Sequence, residues 1–359
     1  LIGDVTGAYT IPTHVIESYN EQELDQTDYP YTFFSDDEIY NPRFFIGRWS
    51  VSSPVELLGI VYRNVVYGRL VDPLGQPVDP SYLNDALLVA GNYSSSPPTP
   101  VTPVWTSQWL RERLEDSNYN NIDEFYYTES NELIDQTSDI TNSWSDGVGI
   151  INYRGWGDAS GWKYPEFKKE HINNLTNLWE LPVVFSFVCN TGDFGNEDNA
   201  DCFGEKMIKY STGIFDQKGA VAMVGPSDLD TDTKFNNVIC AEVWDNLLEN
   251  RISELAPALH AGKQAVLKEF GSDFIVTGLG GDANIAEFYH HVYGVLGDPS
   301  LSVWIKEPAS MNINIQDNHS LNNSFVEVTV LDENNNALEG VVGSLMYNDE
   351  LIGKGMSDY

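Results

Sequence analysis

Two apolar runs, and the turns that end them, constrain most strongly what this chain can fold into. Residues 148–153 and 181–188 are continuous and apolar, as strands buried in a parallel sheet are. The turn RGWGD (residues 154–158) follows the first run, and CNTGD (residues 189–193) follows the second. Open α/β sheets bind ligands at the carboxyl ends of their strands. Cys189, which directly follows a buried strand, is therefore well placed to be a nucleophile.

The pattern on either side of these runs predicts an α/β domain followed by a β-sandwich. Further buried strands are predicted at 85–90 and 220–224, and helices at about 53–65, 104–114, 202–210, 237–248 and 256–270. The polar segment between the two motif strands, which contains His171, is predicted to be a helix. After residue 306, alternating apolar residues predict antiparallel strands of an immunoglobulin-like sandwich.

This pattern divides the chain into three expected parts. Residues 1–83 are a first α/β subdomain with its linker, residues 84–306 are a second α/β subdomain, and residues 307–359 are the sandwich. The first and last parts are expected to be incomplete, because the chain opens in mid-strand at Leu1 and stops within a β-domain at Tyr359. We therefore expect a fragment of a longer precursor.

Composition excludes two classes of partner. The formal charge is −35 at pH 7, from 54 acidic and 19 basic residues in a chain of 359. Such a chain has no electrostatic attraction to nucleic acid or to an anionic membrane surface. No apolar run is long enough to span a bilayer. The three cysteines cannot all pair with one another, so a disulfide framework is not expected.

Two acidic clusters have the residue types that bind calcium. Asp228, Asp230 and Asp232 alternate in a loop after a predicted strand. The loop after Cys189 contains Asp193, Glu197, Asp198 and Asp201. Hard cations take several carboxylate oxygens, although neither cluster has the glycine and the glutamate of an EF-hand loop. The alternatives are a solvated acidic surface and, for the first cluster, a wall of a substrate pocket.

The motifs around Cys189 resemble those of the gingipain family, the caspase-like cysteine peptidases of Bacteroidetes. The resemblance extends to about Lys306. It rests on Cys189 with Gly192-Asp193-Phe194, on Cys202-Phe203-Gly204-Glu205, and on the segment VLGDPSL at residues 295–301. It implies a caspase-like, mostly parallel sheet and a nucleophilic Cys189. It also implies calcium as a structural ion, protein or peptide substrates, and an extracellular or cell-surface location reached through type IX secretion and its components.

The chain departs from this family at the general base. In the family the first turn reads Gly-His-Gly, whereas Trp156 stands at the centre here, and the interval to Cys189 agrees with the family's. Indole has no basic nitrogen, so Trp156 cannot replace imidazole. The backbone N–H groups around Trp156 and Gly157 could still line an oxyanion hole, because glycine lets a backbone approach closely. We expect the side chains of Trp156 and Cys189 to meet.

Other groups are candidates for the missing functions. His290 and His291 precede the VLGDPSL segment and could supply a relocated base, while Arg154 and Lys163 could lower the thiol pKa. The family places an acidic residue near its active site, and Asp37 is the nearest candidate here. Two hypotheses follow: a gingipain-like cysteine endopeptidase, or a catalytically inactive pseudopeptidase that serves binding, adhesion or secretion-system assembly.

Overall fold

The computed structural model describes residues 1–20, 22–91, 102–127, 136–196, 198–209, 216–315, 326–348 and 350–358. Two compact units are present, Leu1–Glu307 and Pro308–Tyr359. The expected boundary between subdomains at residue 83 stays a prediction. Within the described residues, none of the helices has the length and apolar character needed to cross a membrane.

The first unit alternates strands and helices. The described strands, in chain order, are β1 (His14–Glu17), β2 (Leu24–Thr27), β3 (Asp85–Gly91), β4 (Asn121–Tyr127), β5 (Ile150–Arg154), β6 (Gly157–Asp158), β7 (Gly161–Lys163), β8 (Glu166–Lys168), β9 (Val183–Phe187), β10 (Ala222–Pro226), β11 (Ile275–Thr277), β12 (Asp282–Asn284) and β13 (Tyr293–Leu296). The described α-helices are α1 (Pro54–Arg69), α2 (Thr102–Asp116), α3 (Thr137–Ser145), α4 (Phe203–Lys209), α5 (Thr233–Leu248), α6 (Leu255–Phe270) and α7 (Ile285–Val292).

The central sheet positions the two turns singled out in the sequence. Its six strands lie in the order β13-β10-β9-β5-β3-β4, and all pairs are parallel except β10 with β13. The buried strands predicted at 148–153, 181–188 and 220–224 are confirmed. They are β5, β9 and β10, which are neighbours in the sheet. The mostly parallel α/β class is likewise confirmed. Because β5 and β9 run in the same direction, their carboxyl ends lie at the same edge of the sheet.

Both faces of this sheet are covered, as parallel sheets require. Side chains alternate along β3: Ala86 and Leu88 belong to a core with helices α2, α5, α6 and α7, while Leu87 and Val89 belong to a core with α1, α3 and α4. Helix α1 starts as its sequence predicts, with the Ser53 hydroxyl accepting a hydrogen bond from the Glu56 amide at 3.2 Å. The result is a three-layer α/β/α unit.

The prediction of a helix between the two motif strands is wrong. The described segment from Gly157 to Lys168 forms the three-stranded antiparallel sheet β6-β7-β8, and His171 lies in a short 3-10 turn, His171–Asn174. The apolar side chains of Trp162 and Phe167 are completely buried in this segment. Alternating short strands place both of them on the core, which a polar helix at the surface would not do.

The second unit contains antiparallel strands, as the alternating pattern predicts. β14 (Asn312–Ile315) pairs with β15 (Val328–Leu331), and β16 (Val342–Tyr347) pairs with β17 (Glu350–Met356). These form two separate two-stranded sheets in the described residues. An immunoglobulin-like sandwich is therefore not confirmed.

Candidate active site

Strand register brings the turns after β5 and β9 together. Arg154 is paired with Phe187, so Trp156 and Cys189 each lie two residues beyond the last pair. Gly157 lies against the second turn: a Cβ atom there would be 3.4 Å from the side chains of both Val188 and Thr191. The two turns are thus in contact through Gly157. Contact between the side chains of Trp156 and Cys189 stays a prediction.

Cys189 is buried, with 4% of its surface exposed. Thr231 supplies the polar contacts of its sulfur: the threonine hydroxyl donates to Sγ at 3.6 Å, and the thiol donates to the Thr231 carbonyl oxygen at 3.8 Å. Burial raises the pKa of the thiol to about 12; the Thr231 hydrogen bond lowers it in part, and the charges of Asp228 and Asp230 raise it further. At neutral pH this sulfur is a thiol rather than a thiolate.

A chain of hydrogen bonds fixes the role of Thr231. Its hydroxyl oxygen accepts from the Asn236 amide at 2.9 Å, and the Asn236 oxygen accepts from the Tyr293 hydroxyl at 2.7 Å. Because the Thr231 oxygen already accepts from Asn236, its own proton is available to the sulfur. The loop after β10 therefore determines the polar surroundings of Cys189.

The turn after Cys189 is held in an uncommon backbone conformation. Asn190 has φ of 56°, in the left-handed region, and its amide N–H donates to the Asp228 carbonyl oxygen at 2.8 Å. The Gly192 amide donates to Pro226 at 2.9 Å. A Cβ atom on Gly192 would lie 2.8 Å from the Gly225 oxygen, so the close approach requires glycine. The turn is bound to the end of β10.

Trp156 is partly exposed, at 38% of its surface. Its indole stacks on Tyr164 with ring centroids 5.8 Å apart, and the Lys163 ammonium lies 4.4 Å from the indole centroid. Lys163 also pairs with Asp158 at 2.7 Å. The charge of Lys163 is therefore directed at Trp156 and Asp158, and it is not among the causes that shift the Cys189 pKa.

Arg154 does not serve the thiol of Cys189 either. It is buried and donates to the carbonyl oxygens of Phe187 and Thr233 and to the Asn237 side chain. Its charge lowers the pKa of Cys240, on which burial has the larger, raising effect. Arg154 therefore ties the end of β5 to α5, on the face of the sheet where Cys240 is packed.

The described histidines make their contacts away from Cys189. His290 is completely buried, with Nδ1 2.6 Å from the Ala286 oxygen, and burial lowers its pKa well below the usual value. The ring of His291 packs edge-on against Tyr29. His171 accepts a hydrogen bond from the Lys168 amide at 2.9 Å. Among the described residues, no histidine is hydrogen-bonded to the Cys189 sulfur.

The loop with Asp228, Asp230 and Asp232 is closed by its own hydrogen bonds. Asp228 is fully buried and accepts from the Ser18 hydroxyl at 2.9 Å and from the Asp230 amide at 3.1 Å. The Asp232 carboxylate lies 3.6 Å from the Lys234 ammonium. In the described part of the chain, no group of three or more His, Cys, Asp or Glu side chains is arranged to hold a metal ion. Calcium binding by this loop stays a prediction.

The second acidic loop is largely neutralised. The Lys209 ammonium lies 2.5 Å from the Asp201 carboxylate, and the Lys169 ammonium donates to the Asp201 carbonyl oxygen at 2.7 Å. Asp198 is exposed. Asp193 is buried, one of its carboxylate oxygens has no hydrogen-bond partner, and burial raises its pKa to about 6. Asp193 is the residue of the predicted set that has an uncompensated oxygen.

The sequence did not single out Asp25 or Thr231. Asp25 on β2 is buried, and burial followed by the charge of Asp228 raises its pKa. Asp25 of the N-terminal segment thus lies beside the Asp228 loop, whereas Asp37 is exposed in a 3-10 turn. The exposed Leu24 beside the buried Asp25 reverses the usual strand pattern, so no sequence signal marked this site.

Comparisons with known proteins agree with this arrangement. The chain is 24% identical over 321 residues to gingipain R2 of Porphyromonas gingivalis, covering 86% of this chain and 38% of the relative. It is 25% identical over 279 residues to Lys-gingipain of the same organism, covering 73% and 15%. The crystal structure of the Arg-specific cysteine proteinase gingipain R superimposes with a TM-score of 0.79 at 21% identity, covering 99% of this chain and 74% of that one.

A mostly parallel sheet with a cysteine at the end of one strand and a glycine-rich turn at the end of its neighbour defines an α/β domain of the cysteine-peptidase class. The model of peptidase family C25 matches residues 1–304, and the chain belongs to that family. The chain spans less than two fifths of the length of the gingipains it matches.

Proposed function

We propose that this chain is a C25 domain that binds protein or peptide segments at the carboxyl edge of its sheet but does not cleave them by ordinary thiol catalysis. One observation carries the proposal. Trp156 lies at the register position beside Cys189, at the place where we infer that the family carries its general base, and the Cys189 sulfur takes its polar contacts from Thr231.

The chemistry of thiol peptidases explains why this arrangement matters. The nucleophile is the thiolate, which needs a cationic or basic neighbour, and the leaving amine needs an acid. The charges that shift the pKa of Cys189 are those of Asp228 and Asp230, and both disfavour a thiolate. A positioned acid–base group supplies roughly 10²–10⁴-fold in rate. We expect the chain to lack that contribution.

The alternative function is an active gingipain-like endopeptidase. Family membership and the retained Cys189 favour it. A base would then have to reach the sulfur through a rearrangement, with His290 and His291 on α7 as the first candidates. His290 is fully buried and His291 is partly buried, and for both burial is the largest cause of a lowered pKa. We therefore place this function second.

Turnover of a mixed peptide library by the purified domain tests the proposal. We expect very slow cleavage that the Cys189→Ala substitution leaves unchanged. Trp156→His should raise turnover by ~10-fold or more, because imidazole can act as base and acid beside the sulfur. Trp156→Phe is the matched control, which keeps an aromatic ring and adds no base. Fast, Cys189-dependent cleavage by the unmodified chain would contradict the proposal.

Labelling separates binding from chemistry. We expect a peptidyl electrophile to label Cys189 no faster than a general thiol reagent at neutral pH, because burial holds the sulfur as a thiol. A non-reactive peptide of the same sequence should still bind to the domain. Rapid, saturable labelling of Cys189 by the peptidyl reagent would favour the endopeptidase instead.

The setting of this activity is also part of the proposal. We infer an extracellular or cell-surface location, with secretion-system components as additional partners, because the sequence motifs resemble those of an exported family. The pseudopeptidase would then serve adhesion or assembly through the same edge of the sheet. Detection of the chain in the external fraction of its source cells tests the location, and confinement to the cytoplasm would contradict it.

A structural calcium ion is also part of the proposal, and Asp193 is its first candidate ligand. The uncompensated buried oxygen of Asp193 suits a cation, although calcium takes roughly 6–8 oxygen ligands. We expect calcium to raise the melting temperature relative to a chelator, and Asp193→Asn to abolish the difference. Asp232→Asn is the control, because Asp232 faces Lys234. Identical melting curves with calcium and with chelator would exclude a structural calcium site.

A further inference from the structure

A cleft away from the Trp156 turn has apolar walls and basic polar groups. It has about 650 Å³ of free space including its open mouth, and it lies between the N-terminal segment, α6 and β13. The aromatic rings of Phe44, Phe45 and Phe194 line it, and the first two are nearly half exposed. Apolar walls with a few polar groups are typical of sites for small organic ligands.

The charges in this cleft are opposite in sign to those of the whole chain. Lys263, His260 and His291 line it, although the chain carries a net charge of −35. Among the lining residues, all of which the structure describes, the acidic side chain is that of Asp28. Arg48 neutralises Asp28 through two hydrogen bonds of 2.7 Å. The cleft therefore offers basic groups without a carboxylate that is free to pair with them.

Lys263 is the principal basic group. It is 5% exposed, its ammonium donates to the His290 carbonyl oxygen at 2.8 Å, and it lies 4.7 Å from the centroid of the Tyr29 ring. No carboxylate pairs with it among the described residues. Burying an ammonium without a counter-charge is costly. His291 adds a buried Nδ1 atom that has no hydrogen-bond partner.

We propose that this cleft binds a carboxylate attached to an apolar or aromatic group, with the carboxylate on Lys263 and His291 and the apolar group against Phe44, Phe45 and Phe194. One buried ammonium matches a single negative charge. A phosphate would bring more negative charge and more acceptor oxygens than these donors can satisfy. Two kinds of ligand share the required chemistry. One is a peptide with an aromatic residue at its free carboxyl terminus, and the other is a small aromatic acid.

The proton balance of the cleft gives a second signature of binding. Burial lowers the pKa of Lys263 to about 7, so a bound anion should restore its proton. Burial, then the charge of Lys263, lowers the pKa of both His260 and His291 to about 4. The other titratable groups of this cluster are His14, Asp28, Tyr29, Tyr40 and His290.

Calorimetric titration of the whole chain tests the proposal, with 3-phenylpropionate as the probe and 3-phenylpropanol as its uncharged counterpart. We expect the acid to bind in the millimolar range and Lys263→Met to weaken it by ~10-fold or more. Lys268→Met is the matched control, since Lys268 is an exposed lysine on the same helix, α6. The alcohol should bind more weakly than the acid, and Lys263→Met should not weaken it.

Proton uptake, measured for the wild-type chain in buffers of different ionisation enthalpy, keeps the test independent of how the variant folds. We expect the acid to take up close to one proton near pH 8 and the alcohol to take up none. Equal affinity of the acid for wild type and Lys263→Met, or equal affinity of the wild type for the acid and the alcohol, would overturn the proposal. Tighter, Lys263-dependent binding of inorganic phosphate would also overturn it.

The peptide Gly-Gly-Phe and its C-terminal amide distinguish the two kinds of ligand, a peptide carboxyl terminus and a small aromatic acid. Lys263-dependent binding of the free peptide acid but not of the amide supports a peptide carboxyl terminus as ligand. Binding of 3-phenylpropionate without binding of the peptide acid supports a small free acid. These measurements do not involve Cys189, so their outcome is independent of whether the domain cleaves peptides.

Discussion

At the residue scale, Asp25 and Asp228 place two carboxyl groups in one buried site beside the loop that holds Cys189. Burial is the first cause of the raised pKa of each, and Asp228 raises the pKa of Asp25 further through its charge. Two adjacent buried carboxylates cannot both ionise cheaply, so the pair retains a proton in the folded chain. The retained proton links the stability of this site to pH.

Asp25→Asn should change the pH dependence of stability. A carboxyl whose folded pKa is raised contributes stability that is present below its unfolded pKa, near 3.8, and that is lost as the pH rises toward the folded value. From pH ~5 to ~8, the wild-type unfolding free energy should fall relative to Asp25→Asn by about 1.4 kcal/mol per pH unit. Urea unfolding across this range measures the difference.

Asp37→Asn is the control for that experiment, because Asp37 is an exposed carboxylate of the same N-terminal segment. Its stability should follow the wild-type pH profile. Parallel profiles for wild type and Asp25→Asn would show that Asp25 is ionised in the folded chain, contrary to the expected retained proton.

The sequence could predict some of these residues and not others. Cys189 was predictable because it directly follows a long apolar run. Asp25 was not, because its burial results from packing of β2 against the Asp228 loop, a contact between residues far apart in the chain. Thr231 was missed for the same reason. A sequence pattern reports which face of a strand is apolar and not which polar group is buried by a distant loop.

At the element scale, α4 joins the loop after Cys189 to the N-terminal segment through the buried ammonium of Lys209. The Lys209 side chain is 6% exposed, and its ammonium lies 2.5 Å from Asp201, 3.8 Å from Asp4 and 3.9 Å from Glu205. Burial raises the pKa of Glu205 to about 7, while the charge of Lys209 lowers it. One lysine therefore compensates several carboxylates in this cluster.

Lys209→Met should destabilise the fold by ~3–5 kcal/mol, because it leaves buried carboxylates without their counter-charge. The double variant Glu205→Gln with Lys209→Met should recover part of the loss. Chemical unfolding measures both. Lys234→Met is the control: its ion pair with Asp232 is exposed, so the change should be below ~1 kcal/mol. A loss for Lys209→Met no larger than for this control would mean that the buried cluster contributes little.

Elements were predictable where one periodicity was long enough. The buried strands β3, β5, β9 and β10 and the helices α1, α5 and α6 lie where their patterns place them. The segment that contains β6, β7 and β8 was not predictable from the sequence. Each of these strands has only two or three residues, too few for strand alternation to be distinguished from helical spacing. Burial of Trp162 under this small sheet is a tertiary effect.

At the scale of the whole molecule, the dominant property is charge. With 54 acidic against 19 basic residues, the surface of the folded chain repels itself. Most ion pairs of the described residues are partly exposed, and such pairs contribute little. The fold is held by two apolar cores, on either face of the sheet, against this repulsion.

Salt should therefore stabilise the chain. Screening shortens the reach of the repulsion from ~30 Å at 0.01 M ionic strength to ~3 Å at 1 M. We expect the melting temperature at neutral pH to rise steadily from ~20 mM to ~1 M sodium chloride. The rise should be smaller at pH ~4, where Asp and Glu begin to be neutral and the net charge is reduced. A melting temperature that is independent of salt at neutral pH, or that rises equally at both pH values, would show that self-repulsion does not limit this fold. An equal rise at both pH values would reflect a general effect of salt on apolar burial.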